Sequence, residues 1–205
     1  MKNKIPAFTT EMIKKHRLQN LIIAGLFFSG VACLTYLVVK SFRANRLSTA
    51  EGELSCVQQK LPLELHDERM AGLIDSHQQL KVMTNYFSCN PIRRGELVYL
   101  KIADNIAPAV RIVRGVPGDK YEVYKVADKA DHWRVKINDE DVKAANETLE
   151  LVSKFAPALR TYQISRQGIL RENEYIIFSN TTPSLSDSSD LGLVGKDRVL
   201  GRVFK

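Results

Sequence analysis

Residues 21–39, LIIAGLFFSGVACLTYLVV, run nineteen positions without a charge. Coiled as a helix, such a stretch is about 28 Å long, close to the ~30 Å hydrocarbon core of a bilayer. The buried helix of a soluble domain rarely runs so far without a charged residue, so the segment is expected to span a membrane. A cleaved signal peptide has a shorter apolar stretch and a small-residue exit. Here the run is long and leads into Lys40-Ser41-Phe42, which favours an uncleaved anchor. Five basic residues precede it (Lys2, Lys4, Lys14, Lys15, Arg17) and three follow closely (Lys40, Arg43, Arg46). The positive-inside bias therefore predicts a cytoplasmic N-terminus, with everything after about residue 40 across the membrane.

That placement accounts for the charge of the chain. The 205 residues carry a formal net charge of +7 and a pI near 9.3, which alone would invite a nucleic-acid partner. Residues 1–40, however, hold six basic residues and one acid, leaving only +2 for the other 165. The basicity belongs to one end of the chain and orients an anchor. No nucleic-acid partner is expected, and membrane lipid is. With 44% hydrophobic and 26% charged residues the rest has ordinary globular composition, which excludes disorder, collagen-like repeats and a disulfide-dense miniprotein. The expected organisation is a cytoplasmic tail (1–20), an anchor (21–39), a stalk and lead-in (40–67) and one cored domain (68–205) with an insertion at about 129–172.

Within that domain the signals are mostly those of strands. Residues 96–102 (ELVYLKI) and 109–114 (AVRIVR) have β-branched and aromatic content, and Val116-Pro117-Gly118-Asp119 is a strong turn signal after the second run. Residues 121–126 (YEVYKV) alternate with period two, and 133–137, 175–178 and 199–204 read as further strands. Residues 141–160 predict a helix with Leu149, Val152 and Phe155 on one face, and 180–190 a polar loop. The fold class expected is mainly β with a small α/β insertion, preceded by one transmembrane helix. Cys56 and Cys89 lie in the exported part, where a disulfide is permitted and two free thiols are the alternative. Asn146-Glu147-Thr148 and Asn180-Thr181-Thr182 match a glycosylation pattern that is common by chance.

Familiar catalytic and ligand motifs are missing. There is no HExxH, CxxC pair or GxSxG, and residues 115–120 lack the glycine spacing of a phosphate loop. His16, His66, His77 and His132 are isolated along the chain. His66-Asp67, with Ser76 beside His77, contains the residue types of a Ser/His/Asp set, but adjacency of this kind is mostly chance. No metal and no cofactor is expected.

In order along the chain, four stretches resemble the bacterial type I signal peptidases and the related conjugative-transfer peptidases, which are serine/lysine endopeptidases held by an N-terminal span. Residues 82–100 (VMTNYFSCNPIRRGELVYL) resemble the "vlVNk…p.rGDiVvf" strand pair. Residues 109–119 (AVRIVRGVPGD) resemble "yvKRvvGlPGD", the most specific of the four. Residues 136–140 (KINDE) are similar to the "yiNG" hairpin, and residues 174–203 to the closing "e.yfvmGDN…S.DSR.fG.V" stretch. Gly115, Pro117, Gly118, Asp119, Asp187, Ser188 and Gly192 keep the motif residues.

The catalytic positions do not. In the family the general-base lysine lies four residues before the first glycine of its motif, which here is Arg111. The nucleophile's "SMxPTL" box falls on residues 69–74 (RMAGLI), which puts Arg69 at the serine. In the last box Leu185 takes the place of the serine that supports the lysine, and Ser189 that of the arginine. A catalytic lysine must fall from about 10.4 to near 8, which apolar burial can achieve. Neutralising an arginine at pH 7 costs roughly 7–9 kcal/mol, and its guanidinium is a poor acceptor. Arg111 is therefore not a base. A rescue pair, Ser88 with Lys101, has a Ser-x-x-Pro spacing at residues 88–91, and Ser76 is a weaker nucleophile candidate.

The resemblance implies a single-pass protein of the bacterial inner membrane, its domain in the periplasm, acting in protein export or processing. The reading favoured is a non-hydrolytic homologue that binds precursor peptides by adding a strand to a sheet edge, or that partners an active signal peptidase or the secretion or conjugation machinery. The alternatives are an active serine endopeptidase that cleaves signal peptides, and an envelope assembly module without a peptide groove.

Overall fold

Strands are the main regular element of the described chain, and several of them, β-branched and aromatic in content, alternate apolar and polar side chains with period two. The structure is a computed structural model and describes residues 35–36, 54–145, 147–181 and 186–205. The chain divides into two units, Met1–Gly52 and Glu53–Lys205. Of the first only Thr35 and Tyr36 are described, both helical, so the expected anchor lies almost wholly outside the described residues. Among the described residues no helix is long and apolar enough to cross a membrane.

Among the described residues the second unit contains thirteen strands: β1 (Lys60–Glu64), β2 (Gln79–Thr84), β3 (Leu97–Leu100), β4 (Ala109–Gly115), β5 (Tyr121–Lys125), β6 (His132–Ile137), β7 (Glu140–Asp141), β8 (Lys143–Ala144), β9 (Glu147–Thr148), β10 (Glu150–Val152), β11 (Glu174–Phe178), β12 (Val194–Gly195) and β13 (Val199–Phe204). Helix α1 spans Ala156–Arg166, and a single turn, α2, Ser188–Leu191. Seven strands make one sheet in the order β1-β2-β13-β3-β4-β11-β12, antiparallel throughout. Strand β13 is thus sewn between β2 and β3, so strands far apart in the chain are neighbours in the sheet. A smaller sheet, β10-β6-β5 with β7 beside β6, and the β8–β9 ribbon form the insertion. The mainly β expectation therefore holds for this unit.

Two apolar layers belong to the large sheet. One gathers Leu65, Met70, Ile74, Leu80, Val82, Val110, Ile112 and Val203. The other gathers Tyr86, Phe87, Val98, Leu100, Val113 and Ile177. Strand β4 feeds both, as a central strand covered on each face does. A third cluster joins the small sheet and α1 to Ile176 and Phe178 of β11.

Two stretches differ from the sequence reading. The helix expected over 141–160 is instead strands β7–β10, with the helix beginning only at Ala156. Leu149 and Leu151 are buried while Val152 is exposed, a period of two that the spacing Leu149, Val152, Phe155 disguises. Pro157, in the first turn of α1, fits a helix start and not a helix interior. The stretch 40–67, expected as stalk and lead-in, supplies β1, paired with β2 from Lys60↔Met83 to Glu64↔Gln79. The loop expected over 180–190 also carries the start of α2.

Cys56 and Cys89 are joined as a disulfide, which ties the segment before β1 to the loop after β2 across 33 residues. By the chain-entropy argument, closing a loop of that size stabilises by roughly 2–4 kcal/mol. Replacing both cysteines by serine should lower stability by that amount, read from the fluorescence of Trp133, the sole tryptophan of the chain, during urea unfolding.

On β10, Glu150 accepts hydrogen bonds from Lys129 (2.7 Å) and Arg134 (2.6 Å), which hold its carboxyl down to about 2. A carboxylate with a depressed folded value stabilises above its unfolded value and loses that contribution as pH falls. The stability difference between the native chain and Glu150→Gln should therefore be constant at neutral pH and vanish between about pH 4.5 and about pH 2.

Candidate functional site

The Val116-Pro117-Gly118-Asp119 stretch builds the turn that its composition predicts. The Asp119 amide donates to the Val116 carbonyl (3.1 Å), and Gly118 has φ +91°, the left-handed value required after proline in a type II turn. Asp119 is nearly buried and holds the turn closed. Its carboxylate accepts the Val116 amide (2.7 Å), the Arg94 guanidinium (2.7 Å) and the Asn138 side-chain amide (2.9 Å). Gly115 sits in tight packing: a Cβ there would stand 2.9 Å from Leu170 Cδ1 and 3.1 Å from Ile176 Cβ, so these neighbours would have to give way. This turn fixes the end of β4 and hence the place of Arg111, four residues before Gly115.

Arg111 is fully buried in β4. Its Nη1 donates to Asp67 Oδ2 (2.9 Å) and to the Val110 carbonyl (2.6 Å), and its Nε to the Ser186 carbonyl (3.2 Å). In the sequence Asp67 stands out only beside His66, as part of a chance Ser/His/Asp grouping, and not as a partner of Arg111. Its other oxygen, Oδ1, accepts the Arg69 amide (3.0 Å) and caps the short helical turn Glu68–Met70. Met70, with no exposed surface, anchors that turn in the core.

Arg69 is brought to the same place. Its guanidinium donates to Ser186 Oγ at 3.4 Å and lies 3.7 Å from Asp67, with its side chain 45% exposed. The Arg69 carbonyl accepts the amides of Asn180 (2.8 Å) and Thr181 (3.1 Å). Asn180, which the sequence offers only within a polar loop and a glycosylation match, is a second residue of this place. Its amide nitrogen donates to the Ala71 carbonyl (2.9 Å), and its oxygen accepts from Arg114 (3.2 Å) and the Ala145 amide (3.1 Å). A groove lined in part by Ala144, Ala145, Thr148, Leu149, Asn180 and Thr181 opens beside it.

Asp187, Ser188 and Gly192 are structural in their geometry. Asp187 is fully buried, with one oxygen accepting the Ser179 amide (3.1 Å) and hydroxyl (2.9 Å) and the other the Ser189 amide (2.9 Å) and hydroxyl (2.6 Å). Ser188 Oγ accepts the Ile177 amide at 2.8 Å. Gly192 closes α2 at φ +74°, where a Cβ would lie 2.6 Å from the Tyr162 ring. Leu185 lies outside the described residues.

The Ser88/Lys101 pair is not assembled. Ser88 donates to the Asn85 carbonyl (2.8 Å), and Lys101 is paired with Asp104 (2.6 Å) with its side chain 46% exposed. Ser76 is exposed beside His77. At Arg69, Arg111 and Asp67, then, the chain presents two guanidiniums and a carboxylate, a set suited to holding charge.

No protein-family model matches the sequence, and no curated protein matches it. Among solved structures the chain is similar to a signal peptidase I from Enterococcus faecalis V583, at 17% sequence identity and a TM-score of 0.37, over 55% of this chain and 97% of that one. A likeness at that level leaves the site to be judged on its own residues.

Asp187→Ala should destabilise the unit by roughly 3 kcal/mol or more, because it removes the acceptor of four buried hydrogen bonds. Urea unfolding checks this; a loss below about 0.5 kcal/mol would show that the carboxylate is dispensable.

Proposed function

We propose that this chain is a membrane-anchored, signal-peptidase-like protein of the bacterial cell envelope that binds precursor peptides and does not hydrolyse them. The observation that carries the proposal is Arg111, fully buried and ion-paired to Asp67 at 2.9 Å, where the resemblance places the general base. Acyl transfer by a serine/lysine pair needs a neutral amine within reach of a hydroxyl. A buried guanidinium already engaged by a carboxylate supplies neither the lone pair nor the space. Arg69 occupies the position of the nucleophile and cannot attack a carbonyl.

Support for the envelope location comes from the charge-free stretch 21–39, its basic flank, and the Cys56–Cys89 disulfide, which suits an oxidising compartment. Binding of an extended peptide is supported by the groove beside Asn180 and by the antiparallel sheet. Strand β1 is an unsuitable edge. Gln59 and Leu65 turn their backbone groups towards β2, so Pro62, between them and of the other parity, faces outward and offers no N–H.

The test is incubation of the full-length, detergent-solubilised protein with a signal-bearing precursor. Retention of the precursor on the immobilised protein with no cleavage product is expected. Cleavage that disappears in Ser88→Ala would overturn the reading and restore an active peptidase. Neither retention nor cleavage would overturn the peptide-binding role and favour an assembly module.

A further inference from the structure

Two of the histidines that stand isolated in the sequence, His66 and His77, meet in the fold. Glu64 ends β1, and His66 follows two positions later. Leu65 between them is 3% exposed and packs into the core beside Met70 and Ile74. Its amide donates to the Gln78 carbonyl (3.2 Å), and its carbonyl accepts the His77 amide (2.6 Å). The backbone is thereby pinned on both sides of the pair. In an extended chain, residues i and i+2 share a face, so Glu64 and His66 both point away from the core that Leu65 enters.

His77 approaches from the turn that leads into β2. Its Nδ1 lies 3.0 Å from Glu64 Oε1, and its ring meets that of His66 edge to face at 5.2 Å between centroids. One ligand atom from each of the three side chains lies within 4.8 Å of the others, and all three residues are exposed. Gln79 Nε2 donates to Glu64 Oε2 (3.2 Å), orienting the carboxylate as an outer-shell partner does.

We propose that Glu64, His66 and His77 form a binding site for a divalent first-row transition-metal ion, with zinc the expected occupant. Two imidazole nitrogens and one carboxylate oxygen suit zinc, copper or nickel, and not the all-oxygen shells of calcium or magnesium. Zinc–ligand distances of about 2.0–2.2 Å put tetrahedral ligand atoms about 3.4 Å apart. Rotation of exposed side chains closes the remaining gap while the paired backbone stays in place. The ion takes the position between carboxylate and imidazole that a proton holds in the Glu64–His77 contact. Three protein ligands leave a fourth position for water or an external group. His66 directly precedes Asp67, so the ion would staple the segment that presents Asp67 and Arg69 to Arg111. The site stands on its own geometry and does not depend on whether the protein binds or cleaves peptides.

The experiment is titration of metal-stripped, full-length protein in detergent with zinc chloride against a chromogenic chelator, supplemented by the visible spectrum of the cobalt(II) form. One zinc ion per chain, bound in the low micromolar range or tighter, is expected. His66→Ala and His77→Ala should each weaken binding by at least about tenfold, and Glu64→Gln should weaken it without disturbing the fold. His132→Ala, in the small sheet, should leave it unchanged. The urea midpoint of each variant, read from Trp133, shows that it is folded. The absence of zinc binding, or binding that either folded histidine variant retains at the native strength, would overturn the site.

Discussion

The ion pair between Arg111 and Asp67 is the contact on which the arrangement of the site depends. A guanidinium without exposed surface in the middle of β4 has to be compensated, because removing one partner of a buried pair costs roughly 3–5 kcal/mol. Asp67 supplies the charge from 44 residues away in the chain, with its second oxygen committed to the turn that begins with Glu68. The pair thus ties the segment between β1 and β2 to an inner strand of the sheet. Arg69 rides on that turn, and its position beside Ser186 follows from it. Electrostatics and topology here are one constraint: had Arg111 been a lysine lacking its carboxylate, apolar burial would have favoured the neutral amine.

Much of the scaffold was legible in the chain. The β-branched and aromatic content of 96–102 and 109–114 and the alternation of 121–126 marked β3, β4 and β5, and the closing strand 199–204 coincides with β13. The Pro-Gly-Asp turn was legible for a stereochemical reason, since proline sets one dihedral and glycine supplies the next. Counting back from that turn reached Arg111, and the fold brings Arg69 to the same carboxylate. Residues 141–160 misled because Leu149, Val152 and Phe155 have helical spacing, although the true pattern pairs Leu149 with Leu151.

The partners of the site residues were not legible. Asp67, Asn180 and Ser186 reach Arg69 and Arg111 only because the sheet order brings β1, β4 and β11 into one layer. Periodicity reports which side of an element is buried; it does not report which distant element covers it. The same limit hid the meeting of His66 and His77, which depends on the register Glu64↔Gln79. Asp119 and Asp187 were found as motif residues, and the structure gives them the same physical office. Each is a nearly or wholly buried carboxylate that satisfies the backbone and side-chain donors of a tight turn.

A double-mutant cycle on Asp67→Asn and Arg111→Met in the full-length protein, with unfolding followed through Trp133, tests the central contact most directly. A coupling energy of about 1–3 kcal/mol between the two substitutions is the predicted result, since each removes the same buried interaction. Losses that add to within about 0.5 kcal/mol would show two independent side chains and contradict the account.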